Sequence, residues 1–302
     1  MGAITRFAPS PTGFLHLGHA FAALFASRAA AARGGRFLLR MEDIDQTRCR
    51  PEYDAAILQD MAWLGLESAG PVLRQSARLP AYGALLDSLK VRGLVYPCFC
   101  TRADARREAA GMQAAPHGSS GGGLAGACPG ACRELSPQRR RLLLEQGRGH
   151  ALRLDSRAAL RQTGPLHFRD LDAGIMAVAE ALCGDVVLAR KDAPVSYHLA
   201  VVADDALQGV TLVTRGADLL EATHVQRLLQ ALLGFPAPEY HHHPVLAGHD
   251  GRRYAKRDGA LALRTLRAGG WRPADIRRLC VLQPDEKGKK LIIRVPDLGP
   301  GG

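Results

Sequence analysis

Two histidines flank a glycine close to the start of the chain, in Ser10-Pro11-Thr12-Gly13-Phe14-Leu15-His16-Leu17-Gly18-His19. Imidazole N–H groups can donate to phosphate oxygens, and a glycine between them lets a ligand approach the backbone. Their setting gives the pair meaning. Ala3 to Ala8 reads as a strand, and Leu17 to Arg33 contains no proline and is rich in alanine and leucine, which predicts a helix. A strand, a Pro/Gly turn and a helix N-terminus direct unpaired backbone N–H groups and the helix dipole toward an anion. The bare spacing also fits two histidines that merely cap a turn.

A second set of reactive side chains is Cys98-Phe99-Cys100 and Cys128-Pro129-Gly130-Ala131-Cys132. Two close pairs of thiolates can close a tetrahedral zinc site, and with no position left open for water that zinc would be structural. Cys49, Cys183 and Cys280 are scattered and read as core residues. His241-His242-His243 is not expected to bind metal, because adjacent residues point in different directions and the triplet leads into a predicted strand entry at Pro244-Val245-Leu246. Arg6, Ala8 and Ser10 lie at the end of the first predicted strand, and Glu42 just beyond the second, Arg36 to Met41. Strand C-termini are where open α/β sheets bind ligands.

The elements that must position these residues alternate. Pro51 to Leu64 and Pro80 to Arg92 carry helical apolar spacing, the second ending at Gly93. The stretch 98–135 breaks the pattern with four of the seven cysteines and the tract Gly118-Ser119-Ser120-Gly121-Gly122-Gly123, expected to be a flexible loop tip. A basic helix, Pro137 to Gly147, and strands near His150 to Leu154 follow. The alternation then resumes. Asp185 to Arg190, Leu199 to Ala203 and Val210 to Thr214 read as strands, and Leu219 to Leu233 as a helix stopped by Gly234. The predicted fold is α/β: a Rossmann-like parallel sheet split by a zinc-containing insertion, with a short helical C-terminal region. Its catalytic halves are 1–97 and 183–240, its insertion 98–182, and its last part 241–302, whose tail is expected to be disordered.

At 302 residues the chain can bury a substantial core. The net charge of +11 favours a polyanionic partner, although only six of the 40 basic residues are lysine, as GC-rich coding would also produce. No apolar run is long enough to span a bilayer and no secretory pattern opens the chain, so a cytoplasmic, membrane-free protein is expected.

The His16–His19 segment with its Pro-Ser-Pro-Thr-Gly lead-in resembles the HIGH signature of class I aminoacyl-tRNA synthetases, in the version of the glutamyl and glutaminyl enzymes. Phe37 to Asp45, Trp63-Leu64-Gly65-Leu66, Arg74-Gln75-Ser76, Tyr197 to Asp205 and Arg215 to Leu220 resemble further motifs in the family's order. Several ordered motifs are far more specific than one expression.

That resemblance implies ATP with Mg2+ as a substrate complex, with His16, Gly18 and His19 at the nucleotide. It implies an amino-acid pocket of Arg6, Phe7, Ala8, Pro9, Ser10, Glu42, Tyr197 and Arg215. Arg215 suits a carboxylate, which its planar fork can bind at two points, and Glu42 suits the α-ammonium. Arg252 to Arg257 falls where the family's mobile KMSKS loop belongs, with Arg253 and Lys256 at its lysine positions and Tyr254-Ala255 as a departure. The implied catalytic groups are His16, His19 and Lys256. Only 45 residues follow Arg257, and they lack a convincing anticodon-binding pattern. The chain therefore resembles the short glutamyl-Q tRNA(Asp) synthetase branch, whose members activate L-glutamate with ATP and attach it to queuosine in tRNA(Asp). Those relatives carry zinc at the cysteine region, which here offers Cys98, Cys100, Cys128 and Cys132. A monomer is expected. The rivals are a truncated glutamyl-tRNA synthetase that charges tRNA(Glu), and a non-catalytic zinc- and RNA-binding paralogue.

Overall fold

A computed structural model describes residues 2–100, 131–190, 193–244 and 262–280, and the backbone of 283–284 and 291–292. The expected loop tip at 118–123 and the tail beyond 292 lie outside the described residues.

Strand β1 (Ile4–Phe7) runs parallel to β2 (Arg36–Met41), with Ile4 opposite Arg36 and Phe7 opposite Leu39, and β2 runs parallel to β3 (Leu73–Arg74). On the other flank of β1 lies β9 (Leu212–Gly216): the Thr211 N–H donates to the Ile4 carbonyl at 3.0 Å, and Thr211 Oγ1 accepts from the Ile4 N–H at 2.9 Å. Beyond β9 come β10 (Glu239–His243) and β6 (His167–Asp170), both parallel, and then β7 (Gly174–Ala177), which folds back on β6 as a hairpin. The chain leaves β1 toward β2 on one side and returns with β9 on the other. That reversal opens a crevice at the C-terminal ends of β1 and β9, the place where open α/β sheets take ligands.

Helix α1 (Leu17–Ala31) lies against this sheet because its alanines let it approach closely. Phe21 and Leu24 pack with Phe7, Phe37, Leu39 and Met41, and the buried Thr5 hydroxyl bonds the Ala26 carbonyl at 2.8 Å. Helix α2 (Pro51–Trp63) starts at Pro51, where a missing N–H costs nothing, and closes the same core with Ile57 and Met61. Helix α3 (Leu79–Val91) leads to a separate antiparallel sheet of β4 (Val95–Cys98), β5 (Ala151–Leu154) and β8 (Val187–Arg190). Between these strands lie α4 (Pro137–Glu145), α5 (Ser156–Thr163) and the single turn α6 (Glu180–Cys183). Strand pairing crosses the sequence-based divisions: β6, from 98–182, joins the parallel sheet through β10, whereas β8, from 183–240, pairs with β5.

One sequence-based element is corrected. Leu199 to Ala203, expected to be a strand, belongs to helix α7 (Tyr197–Leu207), which Ser196 caps by accepting the Leu199 N–H. Seven consecutive residues, Leu199 to Asp205, are buried there. A helix enclosed on every side carries no polar stripe, so its apolar run is indistinguishable from a buried strand. Its Asp204 carboxylate accepts from Gln75 Nε2, Arg78 Nε and Tyr82 Oη, each at 2.8 Å, which fastens α7 to α3. Helix α8 (Leu220–Leu233) ends as expected at Gly234, whose φ of 69° is the left-handed conformation open to glycine. Helices α9 (Leu263–Ala268) and α10 (Pro273–Leu279) return to the first core through Leu263, Leu266 and Ile276. No helix among the described residues is long and apolar enough to cross a membrane.

Candidate active site

His16 is the N-cap of α1. Its Nδ1 accepts the Gly18 N–H at 3.1 Å, while the His16 N–H donates to His19 Nδ1 at 3.2 Å, and the two rings lie 4.0 Å apart. The capping reading of this pair therefore holds. With both Nδ1 atoms accepting, each neutral ring carries its proton on Nε2, so the cap itself selects the tautomer that offers an N–H donor. The residue before α9 completes the turn: Ala262 bridges His16 antiparallel, and the Leu263 N–H donates to the Leu15 carbonyl at 2.8 Å. Arg264 then stacks 4.3 Å over the Phe14 ring. Arg253 and Lys256 lie outside the described residues. The described chain stops at Pro244, after His243 has packed its ring 4.8 Å from Phe21 on α1, and resumes at Ala262 beside His16.

The ends of β1 and β2 meet where the Glu42 N–H donates to the Pro9 carbonyl at 2.9 Å. Phe7 turns its ring into the core, so only its backbone can face the crevice, whereas Ser10 is exposed. Arg6 is buried and donates through Nε to Asp205 at 2.9 Å and through Nη1 to the Thr214 carbonyl at 3.3 Å, one residue before Arg215. Asp205 also takes Arg40 Nη1 at 2.7 Å, and Arg40 Nη2 stands 3.5 Å from Glu42. Burial raises the Glu42 carboxyl while Arg40 and Arg6 oppose that rise. The two guanidinium groups hold Asp205 below the usual carboxylate range against its own burial. The cluster thus presents a carboxylate, Glu42, on a fixed cationic backing.

Arg215 projects from β9 and is 6% exposed. It donates Nε to His242 Nε2 at 3.1 Å, Nη1 to Gln226 Oε1 at 2.7 Å and Nη2 to Thr223 Oγ1 at 2.6 Å, and its plane lies 5.4 Å over Tyr240. A guanidinium has five N–H donors. One on each terminal nitrogen remains for a ligand among the described residues, which is the pair a carboxylate needs. Tyr197 is 39% exposed at the start of α7, with its ring edge-on to His198. Burial, with the Arg215 charge adding to it, lowers His198 to about 4, so that ring is neutral. The three rings of the His triplet do not converge: His242 faces Arg215 and Asp170, while His241 and His243 pack on Phe25 of α1.

The family of class I tRNA synthetases (E and Q), catalytic domain, matches residues 3–293. This chain belongs to that family. It is 51% identical over 282 residues to the glutamyl-Q tRNA(Asp) synthetase of Rhodobacter capsulatus, covering 91% of this chain and 99% of that protein. It is 36% identical to the glutamate–tRNA ligase of Aquifex aeolicus, of which it spans 61%. Among solved structures, a glutamate tRNA ligase from Elizabethkingia meningosepticum in complex with its amino acid superposes with a TM-score of 0.75 at 25% identity, over 96% of this chain and 62% of that one. The fold is therefore that of a class I synthetase, as the ordered motifs implied.

In this class I synthetase, three of the four expected zinc ligands come together. Cys98 ends β4, and its thiol, with those of Cys100 and Cys132, lies within 4.8 Å of the others; Cys128 lies outside the described residues. Cys100 and Cys132 Sγ are 3.5 Å apart, far beyond a disulfide bond, and the Phe99 N–H points at Cys132 Sγ from 3.3 Å. Zn–S bonds of about 2.3 Å place tetrahedral sulfurs about 3.8 Å apart, so the three thiols fit such an ion. They also have a structural task, because Cys98 and Cys132 pack with Tyr96, Phe99 and Leu143 to seat the insertion. Purified without chelators, Cys132→Ser is expected to hold well under half the zinc of the parent chain and to be cleaved faster in the insertion by protease. Equal metal content by elemental analysis would exclude these thiols as ligands.

Sequence reasoning overlooked the residues behind this synthetase's pocket. Arg40 reads as one polar interruption of a buried strand, and Asp205 as one acidic residue of a motif, yet together they anchor Arg6. Asp170, Thr223, Gln226 and His242 come from three separate elements and carry no shared spacing. Their elements are themselves rich in polar residues, so polarity did not mark them out. Of the three arginines that make α4 basic, Arg139 and Arg141 are exposed, whereas Arg140 Nη2 bonds the Arg133 carbonyl at 3.1 Å and has a structural task.

Proposed function

We propose that the chain activates L-glutamate with ATP·Mg2+ and transfers the glutamyl group to queuosine in the anticodon loop of tRNA(Asp). The observation that carries this reading is the 51% identity to a glutamyl-Q tRNA(Asp) synthetase along nearly all of that protein, against 36% to a glutamate–tRNA ligase. The pocket supports it. Arg215 and Arg6 face one carboxylate, while Glu42 takes the ammonium. The α-carboxylate oxygen attacks the ATP α-phosphorus and pyrophosphate leaves; a queuosine hydroxyl then attacks the glutamyl carbonyl and AMP leaves. His16 and His19 donate from Nε2 to phosphate oxygens, Gly18 admits the nucleotide, and Arg253 and Lys256 neutralise the departing charge. Ala8, Pro9 and Ser10 line the amino acid with backbone and hydroxyl groups, and Tyr197 covers it. Zinc on Cys98, Cys100, Cys128 and Cys132 stiffens the insertion, whose Arg139 and Arg141 contact RNA phosphates. A monomer working in the cytoplasm completes this reading.

Labelled glutamate is expected to enter queuosine-containing tRNA(Asp) and to remain on a nuclease fragment from the anticodon loop. Transfer to tRNA lacking queuosine, or label lost with the 3′-terminal adenosine, would assign the chain to tRNA(Glu) charging instead. Absence of any glutamate-dependent ATP–pyrophosphate exchange would favour a non-catalytic RNA binder.

His16→Ala is expected to slow that exchange about 100-fold with little change in the KM for glutamate, because its donor acts on charge that grows at the phosphates. The lost cap costs only about 1 kcal/mol of helix stability, too little to unfold the chain. A glutamate KM that rises while turnover holds would remove His16 from the nucleotide.

A further inference from the structure

Behind Arg215 lies a chain of three buried groups from three adjacent parallel strands. Asp170 on β6 faces His242 on β10, and His242 faces Arg215 on β9. Asp170 Oδ1 accepts the N–H groups of Asp172 and Ala173 in the β6–β7 turn, at 3.0 and 2.9 Å. Its Oδ2 accepts from His242, 2.7 Å from Nδ1 and 3.3 Å from the backbone N–H. That carboxylate therefore cannot turn, and it sits 2% exposed.

The consequence falls on the far ring nitrogen. A carboxylate that holds Nδ1–H leaves Nε2 as a lone pair. Nε2 accepts Arg215 Nε–H at 3.1 Å and lies 3.1 Å from Thr223 Oγ1, which itself accepts Arg215 Nη2. The opposite tautomer would set an N–H against an N–H in a dry site. The charged and titratable neighbours of His242 are Asp170, Arg215 and His243, and burial with the Arg215 charge lowers the ring to about 4. The ring therefore stays a neutral acceptor. Its plane is stacked on Tyr240, 8° from parallel, and Tyr240 in turn underlies Arg215.

We propose that Asp170 and His242 are positioning residues that fix the Arg215 guanidinium in the one orientation that leaves its two remaining N–H groups for the side-chain carboxylate of the amino-acid substrate. The proposal rests on Arg215 binding that carboxylate. It adds a purpose to the network: a guanidinium with three acceptors already placed pays no rotational entropy when the substrate arrives, and an amide substrate offers it one oxygen and no negative charge.

The test is steady-state ATP–pyrophosphate exchange, titrating glutamate and ATP separately, for His242→Leu, His242→Gln and Asp170→Asn. His242→Leu leaves Arg215 Nε unpaired and is expected to raise the glutamate KM about 10- to 100-fold, the scale of one buried donor without a partner, while the ATP KM stays within about threefold. His242→Gln restores an oxygen near the Nε2 position and is expected to recover most of that loss. Asp170→Asn keeps one acceptor oxygen where two are used, so an NH2 must meet either the ring or the Asp172 and Ala173 N–H groups, and it should show the same glutamate-selective defect. Glutamate and ATP KM values that rise together, or Gln no better than Leu at equal thermal stability, would make the network structural only and overturn the proposal. Should His242→Leu fail to fold, Asp170→Asn decides by the same comparison. Loss of glutamate-dependent exchange in the parent chain itself would instead overturn the substrate assignment.

Discussion

Arg215→Ala is expected to lower kcat/KM for glutamate-dependent ATP–pyrophosphate exchange about 1000-fold. Removing one member of a buried, hydrogen-bonded charge pair costs about 3–5 kcal/mol, and each 1.4 kcal/mol is tenfold. The loss has two parts. The substrate carboxylate would enter the crevice without its fork, and His242, Gln226 and Thr223 would be left facing an empty space. Arg215→Lys should recover only part of the activity, because an ammonium is a point charge that cannot meet two carboxylate oxygens and three protein acceptors in one plane. Glutamine should not replace glutamate in the parent chain, since its amide would confront one Arg215 N–H with another donor. A variant Arg215→Ala within tenfold of the parent, or equal exchange with glutamine, would place substrate recognition elsewhere.

The second large effect concerns acid. His242 and His198 both sit at about 4 in the folded chain, against an ordinary value near 6.5, with burial the first cause and the Arg215 charge the second. A folded-state value below the unfolded one means that the unfolded chain binds the extra proton first. Stability is therefore full above about pH 6.5 and falls as pH drops toward 4, by about 3 kcal/mol for each ring. Asp60 works the other way. Its buried carboxyl, 3.7 Å from Arg267, is raised to about 6, which offsets about 3 kcal/mol between pH 6 and 4. Two rings against the Asp60 carboxyl leave a loss of about 3 kcal/mol, to which the lowered His224 and His243 add and which the raised Glu42 opposes. Urea midpoints should thus fall steeply between pH 6.5 and 4.5 and change little between 6.5 and 8. Replacing Asp60 with asparagine should raise the midpoint at pH 7.5 more than at pH 4.5. A midpoint that holds flat down to pH 4.5 would show that water reaches these rings.

Much of the architecture was present in local signals. Proline at the starts of α2 and α4, glycine after α8, and the alanine-rich run of α1 mark element ends through backbone chemistry that needs no partner. The His16–His19 spacing is local for the same reason: a cap and its N3 residue are bound to meet. Paired cysteines likewise announced a cluster, and the structure brings Cys98, Cys100 and Cys132 into it. Long-range choices were not local. The apolar run after Ser196 became a helix because it is enclosed on all sides, a fact of packing that periodicity does not record. The same limit hid the setting of the pocket. Arg6 and Asp205 are 199 residues apart in sequence, and Asp170 and His242 are 72 apart, so only the packing of α7 near β1 and the pairing of β6 with β10 made them neighbours. By itself the sequence determined the family, through ordered motifs, and named the candidate side chains for an amino acid and a nucleotide. The tertiary structure decided which acceptors hold each guanidinium, because burial makes an unpaired donor costly and the acceptors come from elements far apart in sequence.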